Sequence, residues 1–303
     1  MEVKAITPRG YCKGVVRAIE MAKRAAHEKQ PVSILGMIVH NQYIVDALEA
    51  RGIRTVDHPG MTRLELLDEI QEGTVIITAH GAGNQVFQKA REKGLRVIDA
   101  SCQDVIKTHQ LIKKRLEEGY EVLYFGKPGH PEAEGAVSID PGRVHLIASE
   151  EDLRGLDPYK NYVITNQTTM SLYDLQDLCD HAEKILPRVT VEKETCAATK
   201  VRQEAIRNME EDIDLVFIVG DPHSNNTRKL ASIAGEKREV HMIASLADLK
   251  VDWLIGKRKA AVSSGASTPT YLTDQVIRFL EQFDEKDPST YRKPEADLSK
   301  ILD

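Results

Sequence analysis

The chain has little aromatic content, 5% with a single tryptophan, and it contains no apolar stretch near the ~20 residues that a membrane-spanning helix requires. A net charge of -6 and the lack of a basic stripe interleaved with aromatics argue against a nucleic-acid partner. Nucleotide signatures are also missing. No G-x4-G-K-[ST] occurs, and Gly81-Ala82-Gly83 lacks the third glycine of a dinucleotide fingerprint. Any electrons used must therefore come from a separate protein or small donor. No basic-then-apolar leader opens the chain at Met1-Glu2-Val3-Lys4-Ala5, so a cytoplasmic protein is expected. Cysteine is scarce: four residues, none in a close C-x2-C pair, which excludes a zinc ribbon and speaks against a disulfide scaffold.

What the chain does have is an ordinary globular composition over 303 residues, 41% hydrophobic and 29% charged, and an internal repeat. Counting 28 positions from Cys12, Cys102 and Cys196 reaches His40, His130 and Ser224, each at the end of an apolar run. A second run in each copy ends at His80, Thr168 and Ser267, which lie 68, 66 and 71 residues after the same cysteines. Such runs read as buried strands, and helical patterns fill the spaces between them at 14–29, 42–51, 64–72, 84–93, 104–119, 172–185, 201–209, 227–235 and 271–283. Strand alternating with helix implies parallel sheets joined by right-handed crossovers. The expected fold is α/β, with three pseudo-repeated units at 1–98, 99–193 and 194–283 and a charged, proline-containing tail at 284–303.

Ligands of open α/β sheets bind beyond the carboxyl ends of the strands, so three units around one axis would gather three thiols and six polar loop residues. Three thiolates suit a 4Fe-4S cluster whose fourth iron has no protein ligand and can take substrate. Three buried, inert cysteines are the plainer alternative. Cys179 falls outside the register in an amphipathic pattern and reads as packing. His27, His58, His109, His145, His181, His223 and His241 have no repeat partner and read as ordinary surface or core residues. His40, His80 and His130 each close a strand and open a loop; with Ser224, Asn225, Asn226 and Ser267 they suit a phosphate or diphosphate. A zinc site on the three histidines would leave the registered cysteines without a role. Glu132, beside His130, is a candidate proton donor because burial raises a carboxyl pKa. Thr168 reads either as a bond to a substrate hydroxyl or as the cap of a helix that starts near Ser171.

Several motifs together resemble a known family. They are Pro8-Arg9-Gly10-Tyr11-Cys12, Gly36-Met37-Ile38-Val39-His40-Asn41, Thr78-Ala79-His80-Gly81, Asp99-Ala100-Ser101-Cys102, His130-Pro131-Glu132, Asn166-Gln167-Thr168-Thr169, Cys196-Ala197-Ala198-Thr199 with Arg202-Gln203, Ser224-Asn225-Asn226 and Gly265-Ala266-Ser267. From residue 3 to about 283 the chain resembles 4-hydroxy-3-methylbut-2-enyl diphosphate reductases, the last enzymes of the non-mevalonate isoprenoid pathway. The resemblance implies a trefoil of three α/β units around a central 4Fe-4S cluster held by Cys12, Cys102 and Cys196. It implies reductive removal of the substrate hydroxyl as water, giving isopentenyl and dimethylallyl diphosphate, with ferredoxin or flavodoxin as the usual donor. It places His40, His80, His130, Ser224, Asn225, Asn226 and Ser267 on the diphosphate, Glu132 in the proton relay and Thr168 near the hydroxyl.

Some positions depart from that pattern. Ser101 and Gln103 stand where a threonine and a proline are usual, Lys13 where an uncharged residue is common, and Thr227-Arg228-Lys229 where Ser-Asn-Arg is usual. Loss of a proline beside Cys102 is expected to loosen that loop. The competing readings are a three-unit enzyme of the quinolinate synthase type, which would not need an external reductant, and a non-catalytic iron-sulfur sensor, which would not need the anion site.

Overall fold

The computed structural model describes residues 1–28 and 30–302. Lys29, the expected end of the first helical pattern, and Asp303, the end of the tail, lie outside the described residues. Twelve strands among the described residues form three four-stranded sheets, all parallel. In chain order the strands are β1 (Glu2–Ala5), β2 (Val32–Leu35), β3 (Ile53–Val56), β4 (Thr74–Ile77), β5 (Arg96–Asp99), β6 (Glu121–Phe125), β7 (Val144–Ile147), β8 (Tyr162–Asn166), β9 (Val189–Val191), β10 (Leu215–Val219), β11 (Glu239–Ile243) and β12 (Lys259–Ser264). The sheet orders are β3-β2-β4-β5, β7-β6-β8-β9 and β11-β10-β12-β1.

Each sheet has two central strands with almost wholly buried side chains, β2 and β4, β6 and β8, β10 and β12. These are the continuous apolar runs of the sequence, as expected of parallel strands covered on both faces. Burying each Val, Ile or Leu side chain there contributes about 1.5–3 kcal/mol relative to leaving it exposed. The flanking strands are only partly buried; β1, β5 and β9 have no fully buried residue at all.

The three sheets repeat one order, and the third completes it with the chain's first strand. β1 pairs with β12 in register Glu2↔Lys259 to Ala5↔Val262, in the place that β5 and β9 take in the other two. The expected boundary that put residue 1 in the first repeat is thus corrected: Met1 to about Cys12 belongs with the third sheet. The physical reason is that a four-residue edge strand has no pattern of its own that selects one sheet, and the vacant edge of β12 takes it.

The chain divides into two compact units. One comprises Met1–Val16, Val39–Ala50 and Ala197–Asp303 and holds the β1 sheet; the other comprises Arg17–Ile38 and Arg51–Cys196 and holds the other two sheets. The tail adds two short 3-10 turns, Pro288–Tyr291 and Leu298–Lys300, to the first unit. Ile301 and Leu302 are buried, and the Tyr11 hydroxyl donates to the Ile301 carbonyl at 2.5 Å.

Helices appear where the patterns predict them, with ends shifted by a few residues. The exceptions are the pattern at 64–72, which is a helix Arg63–Leu66 followed by a 3-10 turn Leu67–Glu69, and the unexpected helix Pro131–Val137. In the β10–β12 sheet, close approach replaces side chains with hydrogen at two glycines. A Cβ on Gly265 would lie 2.2 Å from Thr227 Oγ1, and one on Gly220 would lie 2.6 Å from the same buried oxygen. Gly265→Ala is expected to lower stability by about 1–3 kcal/mol through overpacking, read as a lower thermal midpoint; an unchanged midpoint would show that Thr227 can move aside.

Candidate active site

The three registered cysteines occupy equivalent places in the repeat. Each is a half-buried cysteine that follows the fourth strand of a sheet and directly precedes a helix: Lys13–Ala25, Gln103–Glu117 and Ala197–Arg207. The Cys12 N–H donates to Ala266 O at 3.0 Å, that of Cys102 to Ala79 O at 2.9 Å, and that of Cys196 to Thr168 O at 3.1 Å. All three acceptors lie in the loop after a sheet's third strand. Each cysteine is therefore tied to the second polar loop of the sheet it leaves, not to that of the repeat it was expected to open. A helix N-terminus carries partial positive charge, so an anionic metal-thiolate group is favoured beside each sulfur.

The polar loops after the first strands start helices. His130 caps Pro131–Val137, with Nδ1 accepting from Glu132 N–H at 3.2 Å. Ser224 caps Asn225–Gly235 through Thr227 N–H at 3.3 Å. In the remaining copy the cap of Gln42–Glu49 is Asn41, one residue beyond His40, so the 28-residue count is offset by one there. Ser267, after β12, donates from Oγ to the His40 carbonyl at 3.1 Å. His80, after β4, meets His130 edge to face with ring centroids 5.3 Å apart. His223 is exposed, as an ordinary surface residue would be, and Cys179 lies in the core of the β7–β9 sheet with burial pushing its thiol up to about 11.

Glu132 and Thr168 come together. The carboxyl is 2% exposed; Oε1 accepts from Thr168 N–H at 2.6 Å and from the Tyr124 hydroxyl at 3.4 Å, and Oε2 lies 3.1 Å from Thr168 Oγ1. Thr168 does not cap the following helix; Ser171 does, through Asp174 N–H. Thr168 instead serves two partners, its carbonyl holding Cys196 and its N–H and hydroxyl holding Glu132.

The family model described as LytB protein matches residues 3–281. The chain belongs to the LytB family. Similar relatives are the 4-hydroxy-3-methylbut-2-enyl diphosphate reductases of Brevibacillus brevis, 52% identical over 100% of this chain and 99% of that one, and of Bacillus subtilis, 48% identical over 100% and 98%. Among solved structures, the E-1-hydroxy-2-methyl-but-2-enyl-4-diphosphate reductase from Plasmodium falciparum matches with a TM-score of 0.87 at 27% identity, over 99% of this chain and 96% of that one. A solved (E)-4-hydroxy-3-methyl-but-2-enyl diphosphate reductase, described as the terminal enzyme of the non-mevalonate pathway, matches at 0.67 and 28% identity, over 93% and 100%.

This LytB chain also places two buried arginines beside the proposed site to which the sequence assigned no role. Arg63 is buried, and its Nη2 donates to Thr78 Oγ1 at 2.6 Å while Nη1 donates to the Gly81 carbonyl, so it brackets His80. Arg202 is buried in the other unit and donates to Gly10 O at 2.7 Å, just before Cys12. No repeat spacing marks either arginine; Arg202 itself stands in the Arg202-Gln203 motif, which carried no role for it, and Arg63 stands in none. Two of the LytB departures have simple local accounts. Ser101 keeps a hydroxyl that bonds the Asp99 carboxylate. Gln103 is the first residue of its helix, where the N–H has no intrahelical acceptor, so replacing a proline there costs the helix no hydrogen bond.

Burial pushes the Glu132 carboxyl up to about 7, against the lowering pull of its bonds from Thr168 and Tyr124. Because the folded value is raised, this group's contribution to stability is fully present below the ordinary glutamate range and is lost as pH rises towards 7. Urea unfolding of wild type should therefore weaken by on the order of 2–3 kcal/mol between about pH 4.5 and pH 7 relative to Glu132→Gln, and parallel pH profiles would refute the raised carboxyl.

Proposed function

We propose that this chain is a 4-hydroxy-3-methylbut-2-enyl diphosphate reductase, removing the substrate hydroxyl as water with two electrons and two protons to give isopentenyl and dimethylallyl diphosphate. The observation that carries the reading is the buried Glu132 carboxyl, poised near neutrality and bonded to Thr168 beside the loop that anchors Cys196. Full-length identity of about half to named reductases supports it.

Cys12, Cys102 and Cys196 would hold a 4Fe-4S cluster. The donor set fits: three half-buried cysteines, each amide-tied and each at a helix N-terminus, with no fourth registered cysteine. Such a cluster, when bound, supplies the electrons and a Lewis-acidic iron. An acidic carrier such as ferredoxin or flavodoxin would be the electron source, in a cytoplasmic setting that keeps the thiols reduced. Among the described residues no helix is long and apolar enough to cross a membrane.

His40, His80, His130, Ser224, Asn225, Asn226 and Ser267 would bind the diphosphate. Asn226 supports this assignment directly: its side chain is 4% exposed, yet neither amide atom has a hydrogen-bond partner among the described residues. A buried amide without partners is costly unless a ligand completes it. At the start of a helix, that ligand would be an anion.

The proton path follows from the oxygens of Glu132. Oε1 is taken by two donors, and Thr168 Oγ1 donates to Oε2 of the ionised carboxylate at 3.1 Å; when Glu132 is protonated the proton belongs on Oε2, facing the threonine oxygen, and that bond reverses. The threonine O–H is then free to donate to the leaving hydroxyl as Glu132 gives up its proton. General acid catalysis of this kind contributes about 10²–10⁴-fold. With 4-hydroxy-3-methylbut-2-enyl diphosphate and reduced viologen under anaerobic conditions, the cluster-loaded protein should oxidise dye in step with the two five-carbon products. Glu132→Gln should lose at least about 10²-fold of kcat with cluster absorbance intact, and Cys102→Ser should lose both. Dye oxidation without either product, or near-normal turnover by Glu132→Gln, would defeat the respective assignment.

A further inference from the structure

We infer that Arg63 and Thr78 form a positioning device that fixes His80 in the tautomer whose Nε2 carries the proton, making it a neutral donor to the substrate's diphosphate; the inference rests on the reductase reading above. The argument is one of hydrogen-bond direction. The Arg63 guanidinium can only donate, and its Nη2 takes one lone pair of Thr78 Oγ1 at 2.6 Å. The Thr78 side chain is fully buried, and its remaining near neighbour in this chain of contacts is His80 Nδ1 at 3.5 Å. The oxygen keeps a second lone pair, but the buried hydroxyl's own proton also needs an acceptor, and among the described residues Nδ1 is the acceptor in reach, so we assign the proton to the Oγ1–Nδ1 contact as donated to Nδ1. In a neutral imidazole, Nδ1 as acceptor leaves the ring proton on Nε2.

The same tautomer is imposed on the neighbouring histidine by different means. The Glu132 backbone N–H donates to His130 Nδ1 at 3.2 Å, so His130 also carries its proton on Nε2. The two rings offer nitrogens within 4.8 Å of one another. Neighbouring rings that each donate from Nε2 would suit oxygens of one phosphoryl group. One histidine is set by the main chain and cannot be altered by a side-chain substitution; the other is set by Arg63 and Thr78 and can be. Arg63 also donates to the Gly81 carbonyl, so both flanks of His80 are held by one guanidinium.

Binding of inorganic diphosphate to the anaerobic, cluster-loaded protein, alongside steady-state kinetics, tests the device. Thr78→Val keeps the shape and removes the hydroxyl; it should weaken diphosphate binding and raise KM by roughly 5–30-fold, leaving kcat within about threefold and cluster absorbance unchanged. Thr78→Ser should restore binding to within about twofold of wild type. In a His80→Ala background, Thr78→Val should have no further effect, because its role passes through His80; additive losses would show that the hydroxyl matters only for packing and would overturn the proposal. Wild-type affinity in Thr78→Val would overturn it as well, and wild-type affinity in Arg63→Met would remove the arginine from the device. If the wild-type protein itself fails to bind diphosphate, the reductase reading falls, an outcome distinct from any of these.

Discussion

The hydrogen bond from each registered cysteine's amide to a third-strand loop is the constraint on which the site depends. It recurs three times at 2.9–3.1 Å, to Ala266, Ala79 and Thr168, and it fixes where a fourth strand must end before the next helix begins. Parallel pairing makes this possible, because all four strands of a sheet deliver their carboxyl ends to one edge and the chain has to leave from there. The same edge carries the first-strand loops that start the helices capped by His130 and Ser224. A chemistry-bearing residue in this chain is therefore nearly always one that ends a strand or begins a helix. That position needs no long loop, so rigid elements set the geometry directly.

Much of this was legible in the sequence because the central strands of a doubly covered parallel sheet are continuous apolar runs, which stand out even in a single chain. Val75-Ile76-Ile77 and Leu215-Val216-Phe217-Ile218-Val219 are buried throughout, and the polar residues after them are among the proposed site residues. The edge strands were not so legible. Glu2-Val3-Lys4-Ala5 alternates between exposed and half-buried and matches any open sheet edge equally well, so its pairing with β12 comes from closure of the third sheet. Counting by 28 residues reaches the helix cap itself at His130 and Ser224 but the residue before it at His40, because the first copy caps its helix with Asn41. The helix Pro131–Val137 read as a loop since seven residues with two glutamates and a glycine make no apolar stripe; proline at its first position was the one signal available. The bonds of Arg63 and Arg202 were not legible for a different reason. Their partners are backbone carbonyls and a threonine up to 192 residues away, and no local pattern encodes such a bond.

The charge balance bears on how an anion would be held. The chain is net negative at -6, and the residues proposed to contact the diphosphate are histidines, serines and asparagines, with no lysine or arginine among them. A buried positive charge that bonds the His80 loop is Arg63, which burial lowers to about 10 but which still carries its charge at neutral pH. It acts one step removed, through Thr78 and the Gly81 carbonyl. Substrate and both products carry the same diphosphate, so a cation in direct contact would stabilise all of them alike, and such uniform binding does not lower the barrier of the chemical step. Neutral, oriented donors hold the anion by fixed dipoles and still permit release. Discrimination between substrate and product is then left to the end of the molecule where the hydroxyl is lost, which is where Glu132 and Thr168 are proposed to act.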